Sequence, residues 1–284
     1  MSKQKFVEIS KSFFIDPDYK TAFSNLGLTS IDAVFSFNAG KNLAKSNLAA
    51  YRSRLQFETG SPPTTLFLKR YDTPPIMAQL KSWLCHRSRA SLAFFEFDPA
   101  HKLAEAGINT PKIIACGEQW ATFFEKRSFI ISEKIPNADA LERKLPPCFT
   151  NLPTRENLKL RRNFIAQAAV FVKKFHQTGF RHRDFYLSHI FHTNSGEFYL
   201  IDLARVFKPV FFAERFRRKD IAQLYYSAPA KCFSSTDRLR FYIGYTGRQK
   251  LNTKDKAFIR KIISKSQQMA RHDTKHGRYV PFAG

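Results

Sequence analysis

Apolar and polar residues alternate along three early stretches, Ala33 to Phe37, Ala50 to Phe57 and Thr65 to Tyr71, and a period of two predicts strands. Asn38 to Asn42, with Gly40 at its centre, and Thr59 to Pro63 read as the turns between them. A short amphipathic piece, Tyr19 to Leu26, ends near Gly27 and precedes these strands. Helical spacing of Leu92, Phe95, Ala100 and Leu103 predicts a helix over Ser88 to Ala106, stopped by Gly107 and interrupted at Pro99. Strands resume at Lys112 to Cys116, Thr122 to Phe124 and Phe129 to Ser132. The pattern then turns helical, most clearly over Asn157 to Gln177, where Leu160, Phe164, Ala168, Phe171 and Phe175 share one face and Gly179 follows the end. Further helices are expected at Arg215 to Tyr226, Ser235 to Tyr245 and Lys254 to Met269. The reading is an α+β chain: residues 1–30 without an assigned role, a β-rich lobe over 31–135 and a mainly helical lobe over 136–284.

Between the long helix and the later ones stands the densest chemistry. His182-Arg183-Asp184 precedes a predicted hairpin turned by Asn194-Ser195-Gly196, whose returning strand leads to Asp202, eighteen residues beyond Asp184. Two carboxylates brought together beside a nucleotide have complementary uses. One orients or accepts the proton of an attacking hydroxyl, and the other holds magnesium against the phosphates. This layout is that of a kinase phosphotransfer core in which each acid has a different job, and a β-rich lobe followed by a helical one fits a bilobal protein-kinase-like fold around it.

The upstream half supplies matching parts. Lys69 lies inside the apolar run Leu66-Phe67-Leu68, where a bare ammonium is costly to bury unless an anion meets it. Glu96, in Phe94-Phe95-Glu96-Phe97, is another charge in apolar company. A strand lysine paired with a helix glutamate is how kinases position nucleotide phosphates. A solvent-facing lysine and an exposed helix glutamate remain the alternatives. Gly40 is the lone glycine where a phosphate-covering loop would fall. Glu133-Lys134-Ile135, closing the β-rich half, is where backbone groups would meet adenine, so Glu133 and Ile135 join the nucleotide candidates. ATP and Mg2+ are the expected cofactors.

Charge narrows the partners. The 284 residues carry 47 Lys plus Arg against 23 Asp plus Glu, a formal net charge of +24. Such an excess favours an anionic partner: nucleic acid, anionic lipid or a phosphorylated glycolipid. The 30 phenylalanines fit a core as well as an interface. Cys85, Cys116, Cys148 and Cys232 are scattered, with no pair at metal-ligand spacing, and read as reduced thiols. The N-terminus lacks the apolar run of a secretion signal, and no stretch approaches a spanning helix, so a cytoplasmic protein touching a membrane from one side is expected.

The residues resemble the lipopolysaccharide kinase (Kdo/WaaP) family over roughly Leu66 to Tyr226. The resemblance rests on Phe67-Leu68-Lys69-Arg70-Tyr71, Leu103 to Pro111, His182-Arg183-Asp184-Phe185-Tyr186-Leu187-Ser188-His189, Leu200-Ile201-Asp202-Leu203-Ala204-Arg205 and Lys219 to Leu224. It implies that Asp184 is the base and Asp202 the principal magnesium ligand. His189 stands where protein kinases carry a metal-binding asparagine. It either takes that metal-side role or orients Asp184 or a phosphate, since magnesium prefers oxygen. Asp220 matches the acid that ties down the catalytic-loop backbone, with His182 and Arg183 as further structural support. The acceptor implied is a heptose or Kdo sugar of lipopolysaccharide or its lipid A-core precursor, at the cytoplasmic face of the inner membrane.

One inference needs no family. Only residues 203–219 separate Asp202 from Asp220, with no Ala-Pro-Glu in the gap, too short for a segment that cradles a peptide. Arg205, Lys208, Arg215, Arg217, Arg218 and Lys219 make that gap basic and suit an anionic glycolipid. A kinase of another small molecule or of protein is the rival reading, and a pseudokinase or RNA-binding module the third. Nucleic acid is disfavoured, because no RNA-binding signature is present.

Overall fold

The computed structural model describes residues 5–43, 48–149 and 154–281. The chain divides into two compact units, Met1–Lys102 with Thr110–Pro136, and Leu103–Asn109 with Asn137–Gly284.

The first unit is built on an antiparallel sheet. Its strands are β1 (Val7–Ser10), β2 (Phe13–Ile15), β3 (Lys41–Asn42), β4 (Arg52–Thr59), β5 (Thr64–Asp72), β6 (Ile113–Ala121) and β7 (Phe124–Glu133), in the order β1-β2-β6-β7-β5-β4-β3. Its helices are α1 (Lys20–Asn25), α2 (Ile31–Ser36), α3 (Ile76–His86) and α4 (Phe94–Glu105), the last continuing into the chain of the second unit. Phe13, Ile15, Phe23, Val34, Leu66 and Phe129 belong to one buried cluster on the sheet. The first thirty residues therefore supply two strands and part of this core.

Three expectations fail here. Ala33 to Phe37 lies mostly in helix α2 and not in a strand. Ser30 caps its start by accepting from the Ala33 amide, and Arg70 caps its end, donating to the carbonyls of Val34, Phe35 and Phe37. Both caps override a short alternation of apolar residues, and the second comes from a strand over thirty residues away. Helix α3 had no predicted counterpart, and the helix expected from Ser88 starts only at Phe94. Thr122 and Phe123 form the turn between β6 and β7 instead of opening a strand.

In the second unit a small antiparallel sheet, ordered β10-β9-β8, combines β8 (Ala138–Ala140), β9 (Ile190–Thr193) and β10 (Phe198–Leu200). It accompanies α5 (Leu141–Phe149), α6 (Arg155–Gln177), α7 (Ala213–Ser227), α8 (Ser235–Thr246) and α9 (Thr253–Lys275). Helices α6 and α8 pack together, as do α7 and α9, where Ser266 donates to the Ala222 carbonyl at 2.9 Å. An apolar cavity of about 330 Å³, lined by Leu145, Phe164, Phe171, Leu224 and Ile262 among others, lies within this unit.

Candidate active site

On β5 the side-chain period of two separates two cations. Leu66, Leu68 and Arg70 point to the core, and Arg70 reaches α2. Lys69 points to the other face, where its Nζ meets Glu96 Oε1 at 2.5 Å. Glu96 is only 8% exposed, so its charge is matched by the ammonium and not by water. The start of α4, which carries Glu96, is held by β7: the Leu92 amide donates to Glu125 Oε2 at 2.8 Å, and the Ala93 amide to Ser128 Oγ at 3.2 Å. Burial pushes the Glu125 carboxyl up to about 7, although the hydrogen bonds from Ser128 and Leu92 favour its charged form.

Gly40 has φ +130°, and a Cβ there would lie 2.4 Å from the Gln56 carbonyl oxygen, so close backbone approach alone demands glycine. Glu133 and Lys134 donate their amides to the carbonyls of Lys112 and Thr65. Two of the three amides in the predicted adenine-facing trio are therefore engaged by neighbouring backbone.

In the second unit the loop 182–187 is fixed through its backbone. Asp220, fully buried on α7, accepts from the amides of His182 (2.9 Å) and Arg183 (3.0 Å). One turn on, Gln223 Oε1 accepts from the Phe185 amide at 3.0 Å, and Ser227 Oγ from the Leu187 amide at 3.0 Å. Three acceptors at positions i, i+3 and i+7 of one helix face thus hold four backbone amides of the loop, those of residues 182, 183, 185 and 187. His176 backs Asp220 at 3.3 Å and meets the Tyr245 hydroxyl at 2.9 Å. Burial holds His176 and His182 below the usual histidine range. A neutral His182 donates from Nε2 to the Ile201 carbonyl at 3.0 Å, tying the loop to the residue before Asp202.

The returning strand stops at Leu200, and Asp202 sits in a left-handed conformation, φ +56°, before a short turn over Leu203–Arg205. Backbone pairing of Arg181 with Phe207 closes the two segments on each other. Arg205 consequently ion-pairs with Asp184 Oδ2. His189 Nδ1 donates to the Asp184 carbonyl at 2.7 Å, which leaves Nε2 3.9 Å from Asp202 Oδ2.

The remaining predicted site residues distribute unevenly. Lys208 covers the Phe180 ring at 4.7 Å, Arg215 is exposed and Arg218 half-buried. Arg217 is engaged by Glu214 and lies over Phe258 at 4.5 Å, a structural placement. Lys219 donates to the Arg183 carbonyl at 2.6 Å, and burial lowers its pKa against the pull of Asp184. The Arg183 guanidinium lies over Phe207 at 5.5 Å. Sequence reasoning missed Gln223, Ser227 and His176. The available signal for the first two was polar residues spaced from Asp220 at helical intervals beside Ile221 and Leu224.

Against known proteins, the model of the lipopolysaccharide kinase (Kdo/WaaP) family matches residues 68–245. The chain belongs to that family. The lipopolysaccharide core heptose(I) kinase WaaP of Escherichia coli K12 is 28% identical over 225 residues, 77% of this chain and 80% of that protein. The heptose(I) kinase WaaP of Pseudomonas aeruginosa is 32% identical over 163 residues, 53% of this chain and 58% of that one. A solved WaaP in complex with acyl carrier protein superposes with a TM-score of 0.67 at 21% identity, covering 91% of this chain and 99% of that chain. The Kdo/WaaP protein described here thus has the expected protein-kinase-like α+β fold, and it is an ATP-dependent phosphotransferase acting on a lipopolysaccharide core sugar.

Proposed function

We propose that the acceptor is the first heptose of the lipopolysaccharide inner core and that Asp184 orients its hydroxyl for in-line attack on the γ-phosphate of ATP. The observation carrying this reading is the division of labour around Asp184. Its loop backbone is fixed by Asp220, Gln223 and Ser227, while its carboxylate stays partly exposed and ion-pairs with a more exposed partner, Arg205. The relatives' activity on heptose(I) supports the choice of sugar.

Lys69, steadied by Glu96, contacts the nucleotide phosphates, and Ile135 offers its amide to adenine. His189 donates from Nδ1 to the Asp184 carbonyl, and its Nε2 lies 3.9 Å from the Asp202 carboxylate. The Asp202 carboxylate, an oxygen donor of the kind magnesium prefers, would hold Mg2+, with His189 orienting Asp184 beside it. When bound there, magnesium would supply positive charge that offsets the charge of the nucleotide phosphates. Arg205 is displaced from Asp184 by the incoming hydroxyl and turns its guanidinium to the transferring phosphoryl group, an arginine supplied in cis. Lys208, Arg215 and Arg218, with exposed Val210, Phe211 and Phe212 between them, face the anionic, lipid-linked acceptor on the cytoplasmic side of the membrane.

The test is transfer from γ-labelled ATP to lipopolysaccharide extracted from cells lacking the gene. Asp184→Ala is expected to abolish labelling while ATP binding persists, and Arg205→Ala to lower kcat by about 10²-fold or more with little change in KM for ATP. Near-normal turnover by Asp184→Ala would sink the assignment.

A further inference from the structure

Helix α3 is built inside out. Of its eleven residues only Gln79 is fully buried, whereas Ile76, Met77, Leu80 and Leu84 are exposed, Leu84 by 82%. At 100° per residue these four fall on one face. Hydrogen bonds seat the opposite face: Gln79 Nε2 donates to the carbonyls of Pro74 (2.8 Å) and Glu125 (3.2 Å), and its Oε1 accepts from the Glu125 amide at 2.8 Å. The helix therefore needs no apolar burial of its own stripe to stay in place.

The helix and the three residues after it carry formal charge of one sign. Residues 76–89 contain Lys81, Arg87 and Arg89 and no acid. Arg89 lies over Trp120 at 4.8 Å and over Phe123 at 4.3 Å, and Trp83 stacks on Phe124, so a half-buried aromatic group adjoins the stripe. Phe123 itself is 52% exposed. A helix with an outward apolar face, flanking cations and neighbouring tryptophan matches the physics of a segment lying in the headgroup layer of an anionic bilayer. No helix among the described residues is long and apolar enough to cross a membrane.

We infer that α3 is the membrane-docking element of this kinase, its Ile76, Met77, Leu80 and Leu84 face entering an anionic leaflet with Lys81, Arg87 and Arg89 on the headgroups. The occupant is chosen by charge: a helix segment that carries three Lys or Arg residues and no acid over 76–89 is complementary to an anionic lipid surface. The inference rests on the lipid-linked acceptor proposed above, but its test does not.

The experiment is co-sedimentation of the full chain with vesicles of phosphatidylethanolamine and phosphatidylglycerol, against vesicles of phosphatidylcholine alone. The wild type is expected to bind the anionic vesicles preferentially, and the Leu80→Asp/Leu84→Asp double variant at least about tenfold more weakly. Because both side chains are exposed, the variant should keep its melting temperature and its ATP affinity. The conservative Leu80→Met/Leu84→Met variant, which retains the apolar face, should bind like the wild type. Wild-type binding by the aspartate variant overturns the inference. So does a wild-type dimer that the same substitutions render monomeric, because a second copy would then be the occupant. Vesicle binding is read without any transfer reaction, so failure of the acceptor assignment leaves this result distinguishable.

Discussion

Two buried carboxylates, one in each unit, do the same task with different chemistry. Glu125 on β7 accepts the Leu92 amide at the start of α4 and so seats Glu96, the partner of Lys69. Asp220 on α7 accepts two amides of the loop that carries Asp184. Asp220 is also backed by the His176 ring, so three groups converge on its carboxylate, while Gln223 and Ser227 farther along the helix accept from other loop amides. Glu125 has one amide and the Ser128 hydroxyl, and burial outweighs them, raising its pKa to about 7. A buried carboxylate met by few donors becomes titratable near neutrality.

The sharpest way to break this comparison is Asp220→Ala. It leaves the His182 and Arg183 amides unsatisfied in a buried site, and should cost about 3 kcal/mol or more of stability, along with most transfer activity. Denaturant unfolding checks the first and the labelling assay the second. A cost below about 1 kcal/mol would mean that the loop keeps its shape without this anchor.

Glu125 gives the next effect, and its sign is fixed. Its folded-state pKa, about 7, lies above the ordinary glutamate value of 4.5, so the native state binds the proton more tightly. The stabilisation is complete below the ordinary value and is lost as pH rises through about 7, by roughly 3 kcal/mol at most. Unfolding free energies measured across that window should fall with pH in the wild type and flatten in Glu125→Gln, which keeps an acceptor for Leu92. The smallest effect is expected from Gln223→Ala, about 1–2 kcal/mol for one orphaned amide, with the neighbouring anchors intact. A loss equal to that of Asp220→Ala would show that the three acceptors act as one unit, measurable in a double-mutant cycle.

What could be read in advance follows the range of the forces involved. Strand β5 was legible because Leu66 and Leu68 alternate with Lys69 locally, and the His182-Arg183-Asp184 loop because its hairpin and second aspartate lie within twenty-odd residues. Helix α2 was misread as a strand because Arg70 decides its end from a distant strand. Helix α3 escaped notice because pattern reading turns apolar residues inward, whereas Gln79 anchors this helix to Glu125, forty-six positions along the chain. Within the candidate site, Lys69, Glu96, Asp184 and Asp202 stood out by composition. The contact between Arg205 and Asp184 did not, because it depends on backbone pairing of Arg181 with Phe207.

Residue 125 joins its neighbours through three different atoms. Its amide and carbonyl grip Gln79 of α3, and its carboxylate grips the start of α4. Substitution can alter only the last of these, since every amino acid except proline brings the same amide and carbonyl. In genetic terms the two attachments are separable from one side only. Variation at position 125 can loosen the helix bearing Glu96 while the surface helix stays docked, but freeing α3 requires a change at position 79.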